Sequence, residues 1–358
     1  MNTTQLSFLG WNDYFEELYL PHKNDFTPGR VITEHRGSFV VRTHRSELQG
    51  IPAGKFYSGI AGHIDFPSTG DWVLLQELEG EDRAVIHHVL PRKTALIRKS
   101  AGKKTEAQII GANLDIIFIV HGLDGNFNLN RMERYITLAE TSGARPVVLL
   151  NKSDLCENLE ETTARAAEAA GNIPLHTVSA RYGGGVDIVL SYISEGVTAG
   201  FVGSSGVGKS TLINALLGSD VQQVIPVRDG DSRGRHTTTS RHLFLMPSGG
   251  LLMDTPGMRE LSLWDGGESG SSFFDDIESL GEECRFRNCT HSGEPGCRVL
   301  AAVEEGVLDP RRLENYRKLQ KEQRYMESLI DEREYLNRKR EEKKLHREIR
   351  RFTKNHRD

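Results

Sequence analysis

Gly203-Ser204-Ser205-Gly206-Val207-Gly208-Lys209-Ser210-Thr211 matches G-x-x-x-x-G-K-[ST] at every fixed position, the pattern of a loop that cradles phosphates. Gly203, Gly206 and Gly208 let the backbone turn tightly and aim its N–H groups inward. The N-terminus of the following helix adds partial positive charge to that anion nest. Lys209 is placed for the β and γ phosphates of a nucleoside triphosphate, and the Ser210 hydroxyl for the Mg²⁺ that bridges them. The flanks agree: Thr198 to Val202 reads as the strand feeding the loop, and Leu212 to Leu217 as the amphipathic helix after it.

Upstream, the β-branched run Leu114 to Val120 fits a strand buried on both faces. A helix over Asn130 to Ser142 follows, and then a second buried strand, Arg145 to Leu150, which ends in Asn151-Lys152-Ser153-Asp154. That tetrapeptide narrows the nucleotide to GTP. The Asp154 carboxylate can accept from both the N1–H and the 2-amino group of guanine, a pair that adenine lacks. Asn151 can hydrogen-bond the base, and the Lys152 stem can lie over its face. Losing a bidentate partner leaves buried polar groups unpaired, so discrimination is expected to be large. After a helix over Leu159 to Ala170, the strand Pro174 to Val178 leads into Ser179-Ala180, which resembles the short guanine-contacting element of GTPases.

Downstream of the phosphate loop, Arg235-His236-Thr237-Thr238-Thr239 reads as a loop that can close over Mg²⁺ and the γ phosphate. A strand pair, Leu243 to Met246 and Leu251 to Met253, then ends at Asp254-Thr255-Pro256-Gly257. Asp254 suits a water-mediated Mg²⁺ role, and the Gly257 N–H suits sensing of the γ phosphate. The order of these motifs is informative. In a Ras-like domain the phosphate loop comes first and the guanine motif late, whereas here the guanine motif precedes the loop by about fifty residues. The sequence therefore describes a circularly permuted GTPase. Its C-terminal end lies just after Asp254-Thr255-Pro256-Gly257, so whatever follows is wired to the segment that responds to the γ phosphate.

The flanking regions differ in character. Met1 to about Gly29 reads as an extension with one weakly amphipathic helix near Trp11 to Leu20, ended by Pro21. From Gly29 to about Pro91, short apolar runs (Gly37 to Arg42, Phe56 to Ile60, Asp71 to Leu75 and Arg83 to Ile86) alternate with turn residues. This spacing predicts a small β-barrel, either the five-stranded oligonucleotide-binding (OB) fold or an SH3-like barrel. His35, Arg36, Arg42, His44, Arg45 and Lys55 give it positive charge suited to RNA. Arg92 to Ala112, with Arg92, Lys93, Arg98, Lys99, Lys103 and Lys104, reads as a linker or switch-like loop.

Cys284, Cys289 and Cys297 with His291 form a C-x4-C-x-H-x5-C pattern. This Cys3His set closes a tetrahedral structural zinc site and leaves no position for a catalytic water. Cys156 stands apart as a free thiol. Zinc would fold a segment, Phe273 to about Asn315, too short to build much core of its own. From Arg311 to Asp358 there are seventeen Lys and Arg against ten Asp and Glu, a net charge of +7 in a chain whose total is −5. The tail, which carries Leu319, Met326, Leu329 and Leu336 with Arg333 and Arg340 interrupting any heptad seam, reads as one long helix that contacts RNA rather than a coiled coil. No run of eighteen apolar residues exists, and Met1 to Gly10 lacks a basic start followed by an apolar run. A cytoplasmic, monomeric protein without a membrane partner is expected.

Together the permuted motifs, the barrel before them and the cysteine cluster after them resemble the ribosome small-subunit-dependent GTPase family RsgA, also called YjeQ or YloQ, over roughly Gly29 to Asn315. The resemblance implies an OB-fold barrel, a permuted α/β GTPase and a C-terminal, α-helical zinc-binding domain. It also implies action late in small-subunit maturation, with the small ribosomal subunit and its rRNA as partners. The expected organisation is residues 1–28 as extension, 29–95 as barrel, 96–270 as GTPase, 271–315 as zinc domain and 316–358 as basic helix. Expected ligands are GTP or GDP with Mg²⁺, and one Zn²⁺ per chain. In Ras a glutamine just after the D-x-x-G motif orients the attacking water, and the corresponding Met258 cannot. His236 is the candidate to do so, at a point where the family pattern carries a histidine, with an ordinary loop histidine as the alternative. Thr238 is the candidate Mg²⁺-sensing threonine, with Thr237 next. Two other readings stay open: an RNA-binding scaffold that holds GTP without hydrolysing it, and a small-molecule kinase, which the guanine motif disfavours.

Overall fold

The computed structural model describes residues 3–35, 37–57, 64–99, 107–124, 127–204, 206–218, 241–254, 274–317 and 320. The expected sites and contacts at Arg36, Lys103, Lys104, Ser205, Arg235, His236, Thr237, Thr238, Thr239, Thr255, Pro256, Gly257, Met258, Leu319 and the tail beyond residue 320 lie outside these.

Five strands close a barrel: β1 (Thr27–His35), β2 (Ser38–Arg42), β3 (Glu47–Pro52), β4 (Trp72–Glu77) and β5 (Arg83–Val89). Their order is β1-β2-β3-β5-β4, with β4 pairing back on β1 from Thr27↔Leu75 to Arg30↔Trp72. β3 and β5 run parallel and the other pairs antiparallel. This is the OB connectivity, and it removes the SH3-like alternative. Alternate residues of β2 and β3 point inward, so Phe39, Val41 and Leu48 meet Val31, Val73, Leu75 and Ile86 inside. Two details differ from the sequence reading. Phe56 belongs to a 3₁₀ turn, Gly54–Tyr57, and plugs the barrel core from there. β1 and β3 escaped detection because Pro28, Gly29, Gly50 and Pro52 interrupt their patterns.

The extension is part of the core. A 3₁₀ helix, Thr3–Leu9, and α1 (Asp13–Tyr19) bury Leu6, Leu9, Trp11, Phe15 and Tyr19. Trp11 meets the Trp72 ring edge-on at 4.7 Å. Beside it Arg30 is fully buried. Its guanidinium donates to Gly70 O at 3.2 Å, to Asn113 O at 3.1 Å and to Leu9 O, and lies over the Trp72 ring. The stretch read as a linker is a hairpin, β6 (Ala95–Lys99) with β7 (Ala107–Ala112), because Leu96, Ile109 and Ile110 are core residues among the lysines.

The second layer system contains β8 (Ile116–Gly122), β9 (Arg145–Asn151), β10 (Leu175–Thr177), β11 (Thr198–Val202), β12 (Arg241–Leu245) and β13 (Leu251–Asp254). Its order is β10-β9-β8-β11-β13-β12, parallel except for β12. The central β11 feeds the phosphate loop; the strands on one side of it precede it in sequence and those on the other side follow it, as a permuted domain requires. α2 (Leu129–Thr141) and α3 (Leu159–Ala170) contribute Met132, Ile136 and Ala166 to the cluster that holds Ile117, Ile119 and Val148. α4 (Val186–Ser191) and α5 (Lys209–Leu217) cover Phe118, Val120 and Leu149 on the opposite face. Both faces being covered, β8 is buried at every residue. β1 outlasts the barrel and pairs with β12, so barrel and nucleotide sheet form one eleven-stranded array.

α6 (Asp275–Glu282) and α7 (Arg298–Glu304) flank the cysteine cluster. The helical segment 310–317 then docks on α2. Asn130 Oδ1 accepts from Arg311 Nη1 at 3.1 Å and from Asn315 Nδ2 at 3.2 Å, and the buried Glu133 accepts from Asn315 and lies 3.3 Å from Arg311. Burial raises the Glu133 carboxyl above its ordinary range, while Asn315 and Arg311 oppose this.

Replacing Arg30 by Met keeps the apolar stem but removes the donor from the Leu9 and Asn113 carbonyls and leaves Gly70 O with the Asn113 Nδ2 bond alone, each lost partner costing about 1–3 kcal/mol. The urea midpoint of Arg30→Met should fall by the equivalent of about 3 kcal/mol or more. An unchanged midpoint would mean that the guanidinium does not hold the three segments together.

Candidate nucleotide and metal sites

The functional side chains gather where β8, β9, β11 and β13 end, the crevice at which open α/β sheets bind ligands. After β11 the chain must leave the sheet and enter α5 within six residues, and two glycines make this possible. A Cβ on Gly203 (φ +150°) would stand 2.3 Å from Val120 O, and one on Gly208 (φ +95°) 2.3 Å from Asn151 Nδ2. No other residue fits either place. Lys209 opens α5 and curls back, donating from Nζ to Gly203 O at 2.6 Å and Ser204 O at 2.8 Å. Ser210 and Thr211 follow in the first turn of α5, where N–H groups point at the loop.

Asn151 ties the three nucleotide motifs together. It is buried at the end of β9, where its Nδ2 donates to Val207 O of the phosphate loop at 2.8 Å and its Oδ1 accepts from Ala180 N at 3.0 Å. Besides the base contact expected from the sequence, the side chain has a second task within the protein, since two buried backbone groups would otherwise lack partners. Lys152 adopts a left-handed conformation (φ 62°) and pairs with Asp124, so its stem is held along the crevice. A 3₁₀ turn, Ser153–Leu155, presents Asp154, whose Oδ1 accepts from Ser179 Oγ at 2.5 Å. Ser179 is itself fixed by reciprocal backbone bonds with Gly184 of 2.8 and 3.1 Å. Asn151, Lys152, Ser153, Asp154, Ser179 and Ala180 are thus brought together with Gly203, Ser204, Gly206, Val207, Gly208, Lys209, Ser210 and Thr211.

Two residues at the site escaped the sequence reading. Asp124 orients Lys152, and Arg131 on α2 donates from Nη1 to Ser204 Oγ at 2.9 Å. Asp124 lies two residues beyond β8, at the same sheet edge as the known motifs, which is a usable signal. Arg131 gives none, because its role depends on how α2 packs.

Asp254 closes β13 facing Lys209. Burial pushes its carboxyl up to about 6, with the Lys209 charge pulling the other way. Oxygen donors from Ser210 and Asp254 suit a hard cation such as Mg²⁺.

The Cys284, Cys289, His291 and Cys297 donor atoms all lie within 4.8 Å of one another. Cys284 Sγ and Cys297 Sγ are 3.8 Å apart, and His291 Nδ1 lies 3.7 and 3.4 Å from them. A tetrahedral zinc with Zn–S bonds of about 2.3 Å requires S···S edges of about 3.8 Å, so the four donors fit the ion. The geometry has a local origin. His291 takes φ 58°, and Cys297 caps α7 by accepting from Leu300 N at 3.5 Å. A helix N-terminus favours the thiolate that a metal needs. Cys156 lies outside this group, against Thr162. No helix among the described residues is long and apolar enough to cross a membrane.

With this geometry in place, comparison with known proteins is specific. The family model of the RsgA GTPase matches residues 89–264. The chain is 42% identical over 337 residues to the small ribosomal subunit biogenesis GTPase RsgA of Opitutus terrae, covering 91% of this chain and 92% of that one. Against the protein of the same name from Streptomyces coelicolor the identity is 40%, with coverage of 93% and 90%. Among solved structures, YjeQ from Thermotoga maritima is similar at a TM-score of 0.61 and 27% identity, covering 82% of this chain and 97% of that one. The circularly permuted GTPase YloQ shares the fold at a TM-score of 0.59, covering 87% of this chain and 97% of that one.

Two outcomes are expected. The raised Asp254 carboxyl binds its proton more tightly in the folded than in the unfolded chain, so ionising it costs stability from about pH 4 upward and fully above about pH 6. Asp254→Asn should therefore melt higher than wild type at pH 8 without nucleotide, with the gain vanishing near pH 4, while Mg²⁺-dependent GTP binding weakens by about tenfold or more. Cys289→Ala should release zinc to a chromogenic chelator and open the segment from α6 onward to protease; full metal content with unchanged proteolysis would contradict the assignment.

Proposed function

The chain belongs to the RsgA GTPase family, and on that premise we propose that it is a GTP-hydrolysing assembly factor of the small ribosomal subunit, working in the cytoplasm as a monomer that binds the subunit and its rRNA and is stimulated by it. The observation that carries the reading is Asn151, which joins the guanine motif, Ser179-Ala180 and the phosphate loop into one pocket through bonds of 2.8 and 3.0 Å.

In this reading the Asp154 carboxylate, oriented by Ser179, accepts from the guanine N1–H and 2-amino groups. Lys152, held by Asp124, lies along the base. The loop N–H groups and the α5 N-terminus receive the phosphates, and Lys209 leaves the loop carbonyls to reach the β and γ oxygens. Mg²⁺, held by Ser210 and Thr238 with Asp254 behind a water, would neutralise charge on those oxygens. Gly257 reports the γ phosphate from the end of the D-x-x-G motif. Because Met258 replaces the residue that orients water in Ras, intrinsic hydrolysis is slow, and His236 supplies that orientation when the loop carrying it is set by the subunit. One zinc on Cys284, Cys289, His291 and Cys297 folds the segment after the D-x-x-G motif, which docks on α2 and so on the helix that braces Ser204. The expected domain divisions at residues 28, 95, 270 and 315 belong to this proposal, as does an RNA-contacting role for the basic tail.

Steady-state phosphate release from GTP, with and without purified small ribosomal subunits, tests the reading. Wild type should be stimulated strongly, and His236→Ala should lose about 100-fold of the stimulated rate with GTP affinity little changed. Tight GTP binding with no stimulation would leave a GTP-holding scaffold instead.

A further inference from the structure

The barrel and the nucleotide site share one row of paired residues. Thr33 of β1 is paired with Val40 of β2 on one side and with His242 of β12 on the other, and His242 is paired in turn with Asp254 of β13. With strands about 4.8 Å apart, this row spans about 14 Å from the barrel wall to the carboxylate beside Lys209. Side chains reinforce the row where β1 meets β12. Thr33 Oγ1 and His242 Nδ1 lie 3.1 Å apart. Arg241, with only 11% of its side chain exposed, lies 2.8 Å from Glu34 Oε2 and donates to Ile109 O at 2.9 Å and Ser68 Oγ at 3.4 Å. Ser68 also donates to Glu34 Oε2 at 3.2 Å. A single guanidinium thus clamps β12 to the barrel strand β1, to the loop before β4 and to the hairpin strand β7.

The neighbour of Asp254 is held independently. The Met253 side chain lies over Gly70 and Gly111, where an added Cβ would stand 2.7 Å from its Cε and Sδ respectively. Both the strand beside Asp254 and the residue before it therefore rest on the barrel side of the molecule. Among the described residues the barrel reaches Asp254 through paired strands and a close-packed methionine, and close-packed interiors transmit strain.

We infer that the Glu34–Arg241 ion pair is a positioning contact that couples binding of a partner on the barrel to the geometry of Asp254 at the nucleotide. The inference rests on the proposed function for its partner, the small ribosomal subunit, and adds the residues that carry the signal. Coupling between two binding sites is reciprocal, so the contact also makes subunit affinity depend on the bound nucleotide, by a factor in the range of about 5 to 150 for such linkages.

The test uses the full chain, purified small ribosomal subunits, GDP and a non-hydrolysable GTP analogue, with Glu34→Gln, Arg241→Ala and Arg241→Lys. Expected for Glu34→Gln and Arg241→Ala are subunit-free GTP affinity and basal hydrolysis within about twofold of wild type, at least a fivefold loss of subunit-stimulated kcat, and a ratio of subunit affinities in the two nucleotide states that collapses toward one. Arg241→Lys, which keeps the charge opposite Glu34, should retain most of the coupling. Should Arg241→Ala fold poorly, the isosteric Glu34→Gln decides. Unaltered stimulation and affinity ratio in Glu34→Gln overturn the inference alone. A parallel loss of GTP affinity assigns the pair a merely structural role and also overturns it. A wild type that subunits do not stimulate overturns the proposed function, and the inference with it.

Discussion

A guanidinium without access to water holds this molecule together. Arg30 donates to the carbonyls of Leu9, Gly70 and Asn113, which belong to the N-terminal extension, the barrel and the end of the β6–β7 hairpin. Burying it drags its pKa down to about 10, an effect that Asp115 and Asp71 oppose. A buried charge is tolerable only when its donors are satisfied, so the three segments must arrive together around it. Asp71 meets the same demand a few ångströms away: Arg92 grips it through two bonds of 2.7 Å and reaches on to the Ile64 and Phe66 carbonyls. The junction between barrel and GTPase is thus a polar lock inside an aromatic shell of Trp11, Phe15 and Trp72, and not a flexible link.

From this lock the rest follows in both directions along the sheet. β1, whose barrel half carries Arg30, continues into the pairing with β12, and β12 lies against the strand that ends in Asp254. On the other side, Asn113 leads into β8, which ends at Gly122 and is followed two residues later by Asp124 on the guanine side of the crevice. Nucleotide chemistry is therefore framed by strands whose positions are set partly outside the GTPase fold. Within the crevice the same rule of complete polar satisfaction operates on a smaller scale: Asn151 serves Val207 and Ala180, Ser179 serves Asp154, and Arg131 serves Ser204. Each contact fixes a group in advance of the ligand, and such preorganisation is what makes binding selective.

The C-terminal segment solves a different problem. Its two helices, α6 with 8 residues and α7 with 7, bury only a few apolar side chains such as Ile277, Val299 and Ala302. A Cys3His cage that zinc fits can supply the cohesion such a core lacks. The segment then reaches the nucleotide domain through polar contacts, Asn130 and Glu133 with Arg311 and Asn315. α2 carries this interface and the Arg131 bond to the phosphate loop on neighbouring residues, so the two contacts lie within one turn of the same helix.

The sequence by itself determined the chemistry. Gly203, Gly208 and Lys209 are legible because no other residue types satisfy the backbone and charge requirements of a phosphate loop. Asn151 to Asp154 and the cysteine spacing are legible for similar reasons, and motif order alone exposed the permutation. Long buried runs such as Ile116 to Val120 also declared themselves, since a strand covered on both faces has no polar alternation to blur it. What only the tertiary structure decided were contacts between residues far apart in the chain whose types are individually ordinary. The extension from Thr3 to Tyr19 proved to be core because Trp72 and Arg30 were waiting for it. β1 and β3 stayed hidden behind Pro28, Gly29, Gly50 and Pro52, whose local preferences are overridden by barrel closure. The lysine-bearing stretch after Arg92 became a hairpin because Leu96 and Ile109 found a core that periodicity could not see. Asn151 bonded Val207 and Ala180, and Glu34 met Arg241 across two domains, for one reason: buried polar groups must find partners, and which partners are in reach is a property of the fold, not of the neighbouring residues.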